Sequence, residues 1–295
     1  MARMSERGGA VDALVFAGGG CRCFWQVGFL ETAGERAAIE PRHVVAVSAG
    51  ATMAAMFFAG RVGRGRARFA ALAAANPRNI RPANVLGPDP VFPHLGMYRD
   101  VLLDALDAGA IAALAAGPPI DVLLARPPRW LPPVGALLAG FGAYLLERRV
   151  RGGMHPRWPR AIGYVPELVR VQDVLAAHAG DWRAAAEALA ALLLASSCTP
   201  PVTPFLRYAG RPVFDGGLVD NVPTFGLPAG CERALVLLTR RAAAGELERD
   251  PRRRFVQPSQ PIPVAKWDYT RPDLVQETYD MGRRDGERFE AEEGW

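Results

Sequence analysis

The chain has 295 residues, half of them apolar, enough for a large buried core and without the composition of a disordered, collagenous or disulfide-stapled protein. A net charge of +5 and a pI near 9.3 give weak attraction to polyanions. The basic residues are spread out and not interleaved with aromatics on a reader motif, so nucleic acid is not an expected partner, while an anionic membrane and a merely solvated surface both stay open.

Cys21, Cys23, Cys198 and Cys231 are scattered, with no Cys or His at ligand spacing, so no metal or other cofactor is expected. Free thiols fit a reducing compartment. The segment Met1 to Gly9 is charged and has no apolar run before a cleavage site, so a cytoplasmic location is expected. Of the 35 basic residues only Lys266 is a lysine, a skew that reads first as base composition.

In chain order, Asp12 to Phe16 reads as a strand ending at Gly18-Gly19-Gly20, and Phe24 to Ala33 as a helix. His43 to Val47 reads as a second strand, followed at once by Ser48 and a helix from Ala51 to Gly60. Strand–loop–helix twice in succession marks an α/β sheet covered by helices. Asn76 to Pro93 reads as a long loop, Tyr98 to Leu114 as helical, Gly117 to Asp121 as a turn and Val122 to Leu124 as a strand.

Trp130 to Leu146 carries no charge and is flanked by Arg126, Arg129, Arg148, Arg149 and Arg151. It is short for a membrane span, and Pro132-Pro133 and three glycines interrupt it. A buried hairpin or core segment is one reading. The other is an interfacial lid over residues 130–151, with an apolar face toward lipid and arginines toward headgroups. Asp181 is a candidate N-cap for a helix from Trp182 to Ala195. Leu206–Tyr208 and Arg211–Phe214 read as a hairpin, Ala234 to Leu238 as a buried strand and Pro272 to Glu290 as a helix. With no repeat or linker, one domain over 1–295 is expected, with an insertion or lid region at about 76–160.

Three elements carry chemistry. Ala46-Val47-Ser48-Ala49-Gly50 is close to a G-x-S-x-G nucleophile elbow, in which a sharp strand-to-helix turn exposes the serine Oγ. A serine capping a helix is the competing reading. The histidines His43, His94, His155 and His178 all precede the later acids, and His43 lies on the strand leading to Ser48, so a Ser–Asp–His order is absent. Asp215-Gly216-Gly217 follows a strand, and its carboxylate could take the serine proton directly at ~3 Å if the site is dry. Taken alone it could equally be a turn. Gly18-Gly19-Gly20-Cys21-Arg22 can aim several N–H groups at one developing oxyanion. A nucleotide loop would need glycine at Cys23 or a following G-K-[ST], and neither is present.

In this order the three elements resemble the patatin-like phospholipase family, with its G-G-G-x-[KR]-G loop, G-x-S-x-G elbow and D-G-[GA] segment. Ala195-Ser196-Ser197-Cys198-Thr199-Pro200-Pro201 is similar to the A-S-x-A-x-P segment of that family, and D-G-G-L-V-D-N-V-P from Asp215 to Pro223 is the most specific match. The resemblance covers about 11–60 and 190–240. It implies a three-layer α/β/α sandwich around a mostly parallel sheet, and cleavage of lipid acyl esters by a Ser–Asp dyad. Ser48 would be the nucleophile, Asp215 the base, and the N–H groups of Gly18 to Cys21, with Arg22 close by, the oxyanion hole. The substrate would be a lipid, with phospholipid expected. A transacylase using the same dyad and a catalytically silent lipid-binding protein are the alternatives. Ala46 and Cys23 depart from the family's glycines, which puts full activity in question.

Overall fold

The computed structural model describes residues 11–37, 39–151, 154–243, 245–247 and 249–289; Met1 to Gly9 and Glu290, named above, lie outside them. In chain order the elements are β1 (Ala13–Phe16), α1 (Phe24–Ala37), β2 (His43–Val47), α2 (Ala49–Phe58), α3 (Val62–Ala75), α4 (His94–Ala105) and α5 (Ala108–Ala116). There follow β3 (Ile120–Arg126), α6 (Pro133–Arg151), α7 (Trp158–Ala161), β4 (Val165–Arg170), α8 (Val171–Ala176) and α9 (Trp182–Ser196). The chain closes with β5 (Leu206–Tyr208), β6 (Arg211–Asp215), β7 (Ala234–Leu237), β8 (Arg253–Val256) and α10 (Pro272–Glu287).

The strands form one sheet in the order β5-β6-β3-β2-β1-β7-β8, with β4 also on β3. The centre is parallel and the β3–β4, β3–β6 and β5–β6 pairs are antiparallel. Central strands are short apolar runs because both their faces are covered. Period-two alternation divides them between two cores. Leu14, Phe16, Val44, Ala46, Val122 and Leu237 point into the main core, shared with α1–α5 and α8–α10. Val15, Val47, Leu123 and Val236 point to the other face, where α6, Tyr164 and connecting loops cover them. The expected α/β/α layering is therefore present with unequal outer layers.

One register places the site. β2 pairs with β3 only as far as Val47 opposite Leu123. The opposite edge of β3 is taken by β4 from Asp121 to Arg126. β6 takes up the edge that β2 vacates, with Asp215 opposite Leu124. The acid thus enters where the nucleophile's strand stops.

Several expectations change. The helical stretch read from Tyr98 to Leu114 is two helices, because Asp107 caps α5 by accepting from Ala110 N at 2.8 Å. α3, β4 and β8 were not anticipated. Pro166 inside β4 weakens any strand reading, and it is tolerated because β4 pairs on one side only. The 76–93 loop contains a short 3₁₀ turn, Pro82–Leu86. The buried hairpin considered for 130–146 is replaced by the single helix α6, in which Pro132-Pro133 stand at the start and interrupt nothing. Tyr164 lies against this helix at Gly140, where a Cβ would come within 2.6 Å of its hydroxyl, and donates to Ala136 O at 2.6 Å. Among the described residues no helix is long and apolar enough to cross a membrane. The Asp181 cap and the Leu206–Phe214 hairpin are as expected, the latter turning through Ala209 and Gly210, both at positive φ.

Candidate active site

Ser48 joins β2 to α2 with φ 55° and ψ −138°, a backbone state that costs an L residue about 1–3 kcal/mol. The strain is held by its neighbours. Ser48 N donates to Ser196 Oγ at 2.8 Å, and Ser196 Oγ donates to Leu123 O at 2.7 Å, tying the turn to β3 and the end of α9. Gly50 lets α2 start against the backbone of β1, since a Cβ there would lie 2.5 Å from Ala17 O. Ala46 fits inside β2 opposite Phe16 and Val122. Cys23 is buried with its thiol toward Ala17 O at 3.7 Å, so neither departure from glycine disturbs the turn.

Ser48 Oγ donates to Asp215 Oδ2 at 2.6 Å. Thr199 Oγ1 donates to the same oxygen at 3.3 Å, and Gly217 N to Oδ1 at 2.7 Å. These bonds fix the carboxylate's orientation. Burial pushes the Asp215 carboxyl above its ordinary range, only partly opposed by the Ser48 and Gly217 hydrogen bonds and the nearby Lys266 charge. A carboxylate of raised basicity, in contact with a serine hydroxyl, can accept that proton.

The glycine loop faces them. Gly18 N donates to Asn221 O at 3.1 Å, Cys21 N to Lys266 O at 3.0 Å and Arg22 N to Gly19 O at 3.3 Å, so these three expected oxyanion donors are already used. No hydrogen bond among the described residues takes up the N–H of Gly19 or Gly20, and both residues line the pocket. Gly20 stands at φ 59°, and a Cβ on it would collide with Lys266 O. Arg22 does not line the pocket; its Nε donates to Val264 O at 3.2 Å.

The pocket holds about 240 Å³. Gly19, Gly20, Ser48, Asp215 and Gly217 form its floor, and Phe141, Tyr144, Leu145 and Arg148 of α6 form one wall. Ala46, Val47, Ala49 and Gly50 build the turn beneath, and Gly216 packs on Leu123 O. None of the four histidines bonds to Ser48. His43 pairs with Asp121 at 3.0 Å, His94 meets Trp267 O, His155 meets Asp220, and His178 meets Val174 O. Sequence reasoning missed Ser196 and Thr199 as supports, although their segment had been singled out, and it missed Lys266 and Trp267 entirely. The lone lysine was the available signal for Lys266. Among the described residues no group of acids, histidines and cysteines could hold a metal ion.

No curated protein matches the chain. A family profile described as Patatin-like phospholipase matches residues 14–227, a span that takes in the glycine loop, the elbow, α6 and the acid loop. With well over half its length matched and those elements converging on one pocket, the chain belongs to the patatin-like phospholipase family, whose activity is lipid acyl ester hydrolysis.

Proposed function

We propose that the protein releases fatty acid from phospholipid or lysophospholipid through an acyl-enzyme, with Ser48 as nucleophile and Asp215 as its only proton acceptor. The observation that carries this is the 2.6 Å contact between Ser48 Oγ and Asp215 Oδ2 in a pocket where no histidine reaches the serine. Ser48 Oγ attacks the ester carbonyl as its proton passes to Asp215. Charge on the former carbonyl oxygen falls to the N–H groups of Gly19 and Gly20; one such donor is typically worth about 2.7–4 kcal/mol of barrier. Asp215 returns the proton to the departing alcohol, then takes one from water as the water attacks the acyl-enzyme, and Ser48 is restored on release of the fatty acid. Loss of lysophospholipid hydrolysis in Ser48→Ala is the expected result, and a folded Ser48→Ala protein of undiminished activity would overturn the proposal.

The proposal includes a surface mode of action, in a reducing, cytoplasmic setting. Val134, Leu138 and Leu145 lie on one face of α6 at i, i+4 and i+11, and Leu138 is 70% exposed. Trp130, 75% exposed, precedes the helix, and Arg148, Arg149 and Arg151 end it. An apolar face with arginines at its rim suits an anionic lipid surface. The adjacent face of the same helix lines the pocket, so docking would bring the mouth against lipid. Sedimentation with vesicles containing anionic phospholipid, lost in Val134→Asp/Leu138→Asp, tests this; unchanged sedimentation would remove the lipid role of α6.

A further inference from the structure

Lys266 is the one lysine among 35 basic residues, and it lies in the pocket. It also falls outside the matched span of 14–227. Its segment is laced to the glycine loop by Cys21 N on Lys266 O, Arg22 Nε on Val264 O and the Cys21 thiol toward Asp268 O. The backbone is thus fixed, and the side chain points into the site.

Among the described residues the Lys266 ammonium makes no hydrogen bond and no ion pair, although arginines across the surface pair freely with carboxylates. Burial lowers its pKa, and the Asp215 carboxylate, near but beyond ion-pair distance, opposes that. A partly buried cation without a partner lacks the contacts that normally offset its desolvation. Across the pocket Arg148 stands beside Tyr144, likewise without a carboxylate partner. Asp215, already bonded to Ser48, Thr199 and Gly217 N, is the one acid among the described residues that lines the pocket. Two cations that lack a carboxylate partner among the described residues therefore face one committed carboxylate. Lysine differs from arginine in presenting a compact point charge on a flexible stem, which suits a phosphate in the part of the pocket also lined by Gly20 and Trp267.

We propose that Lys266 and Arg148 bind the phosphate of the substrate and make the enzyme selective for ester lipids whose phosphate lies close to the scissile ester, over neutral glycerides. This rests on the hydrolase reading above. Neither residue takes part in the bond-breaking steps; they are specificity determinants.

The test compares two substrates of equal acyl chain, a monoacylglycerol and a monoacylglycerol phosphate, both below their critical micelle concentrations so that membrane docking plays no part. In Lys266→Met, kcat/KM for the phosphate-bearing substrate falls about tenfold or more beyond whatever the neutral one loses through the altered charge beside Asp215, and the extra loss lies mainly in KM. Arg148→Gln gives a smaller loss of the same kind. Equal losses on both substrates would overturn the proposal and make Lys266 an electrostatic support of Asp215; no loss on either would overturn it outright. A second arm needs no turnover. Glycerol 3-phosphate binding to Ser48→Ala, followed by calorimetry, is expected to weaken by the same factor on adding Lys266→Met. Binding unaffected by that change would contradict the clamp, whereas a wild type that hydrolyses neither substrate but binds the phosphate through Lys266 would remove the hydrolase reading alone.

Discussion

The floor of the pocket is held by contacts so close that a methyl group does not fit at Gly20 or Gly50, whereas the α6 wall shows much of its apolar surface to solvent. On the floor, hydrogen bonds from Ser196, Thr199 and Gly217 lock the turn and the carboxylate, and the strained Ser48 backbone persists because β1, β3 and α9 all press on it. α6 is anchored at fewer places. Tyr164 packs at Gly140, and the buried Glu147 carboxylate accepts from Arg157 N and Trp158 N, both at 2.7 Å. Chemistry needs atoms held to a fraction of an ångström, and binding a lipid surface needs exposed apolar area. The two walls divide these tasks, so substitutions in them should differ in kind as well as size.

The largest effect is expected on the floor. Ser48→Ala should lower kcat by at least about 10³-fold, with the circular dichroism spectrum unchanged, because without the hydroxyl no acyl-enzyme can form. Asp215→Asn should lose nearly as much, and it adds a stability signature. Folded Asp215 holds its proton more tightly than the unfolded chain does, so its contribution to stability is present at acid pH and is lost as pH rises through the raised value. At neutral pH Asp215→Asn should therefore raise Tm by about 2 °C or more, a gain that shrinks toward pH 4. Wild-type kcat should in turn fall on acidification through that same raised value, as the base becomes protonated. A pH profile still flat below pH 4 would contradict the assignment.

Gly20→Ala probes the same floor through the backbone. The new methyl must displace Lys266 O, and the N–H groups of Gly19 and Gly20 move with it, for an expected loss of about 10²- to 10³-fold in kcat. The smallest effect belongs to the other wall. Val134→Asp/Leu138→Asp should reduce the rate on anionic vesicles by about tenfold while sparing a soluble short-chain ester. Equal losses on both substrates would mean that the α6 wall shapes the pocket and has no separate docking task.

How much of this was legible in the sequence follows the same division. β1, the glycine loop, β2 and the elbow could be read because they are short, local and bounded by glycine or serine, and Asp215 stood out by its two following glycines. The joining of Ser48 to Asp215 could not be read from local pattern, since it depends on β6 filling the edge of β3 where β2 stops, a long-range register. The use of the Gly18, Cys21 and Arg22 N–H groups within the fold was equally hidden, because their acceptors include Asn221 and Lys266, some 200 residues away or more. α6 was ambiguous because its proline pair and glycines read as breaks, while in the fold one sits at the helix start and another admits Tyr164. Lys266 was visible only as a compositional oddity until its surroundings gave the lysine a neighbourhood.

The most direct test of the central claim is mass-detected labelling of the folded protein with a fluorophosphonate, in wild type, Ser48→Ala and Asp215→Asn. One adduct on Ser48, absent from Ser48→Ala and strongly reduced in Asp215→Asn, is the predicted result. A folded wild type that stays unlabelled even with anionic vesicles present, or labelling of Ser48 that persists undiminished in Asp215→Asn, would contradict the dyad.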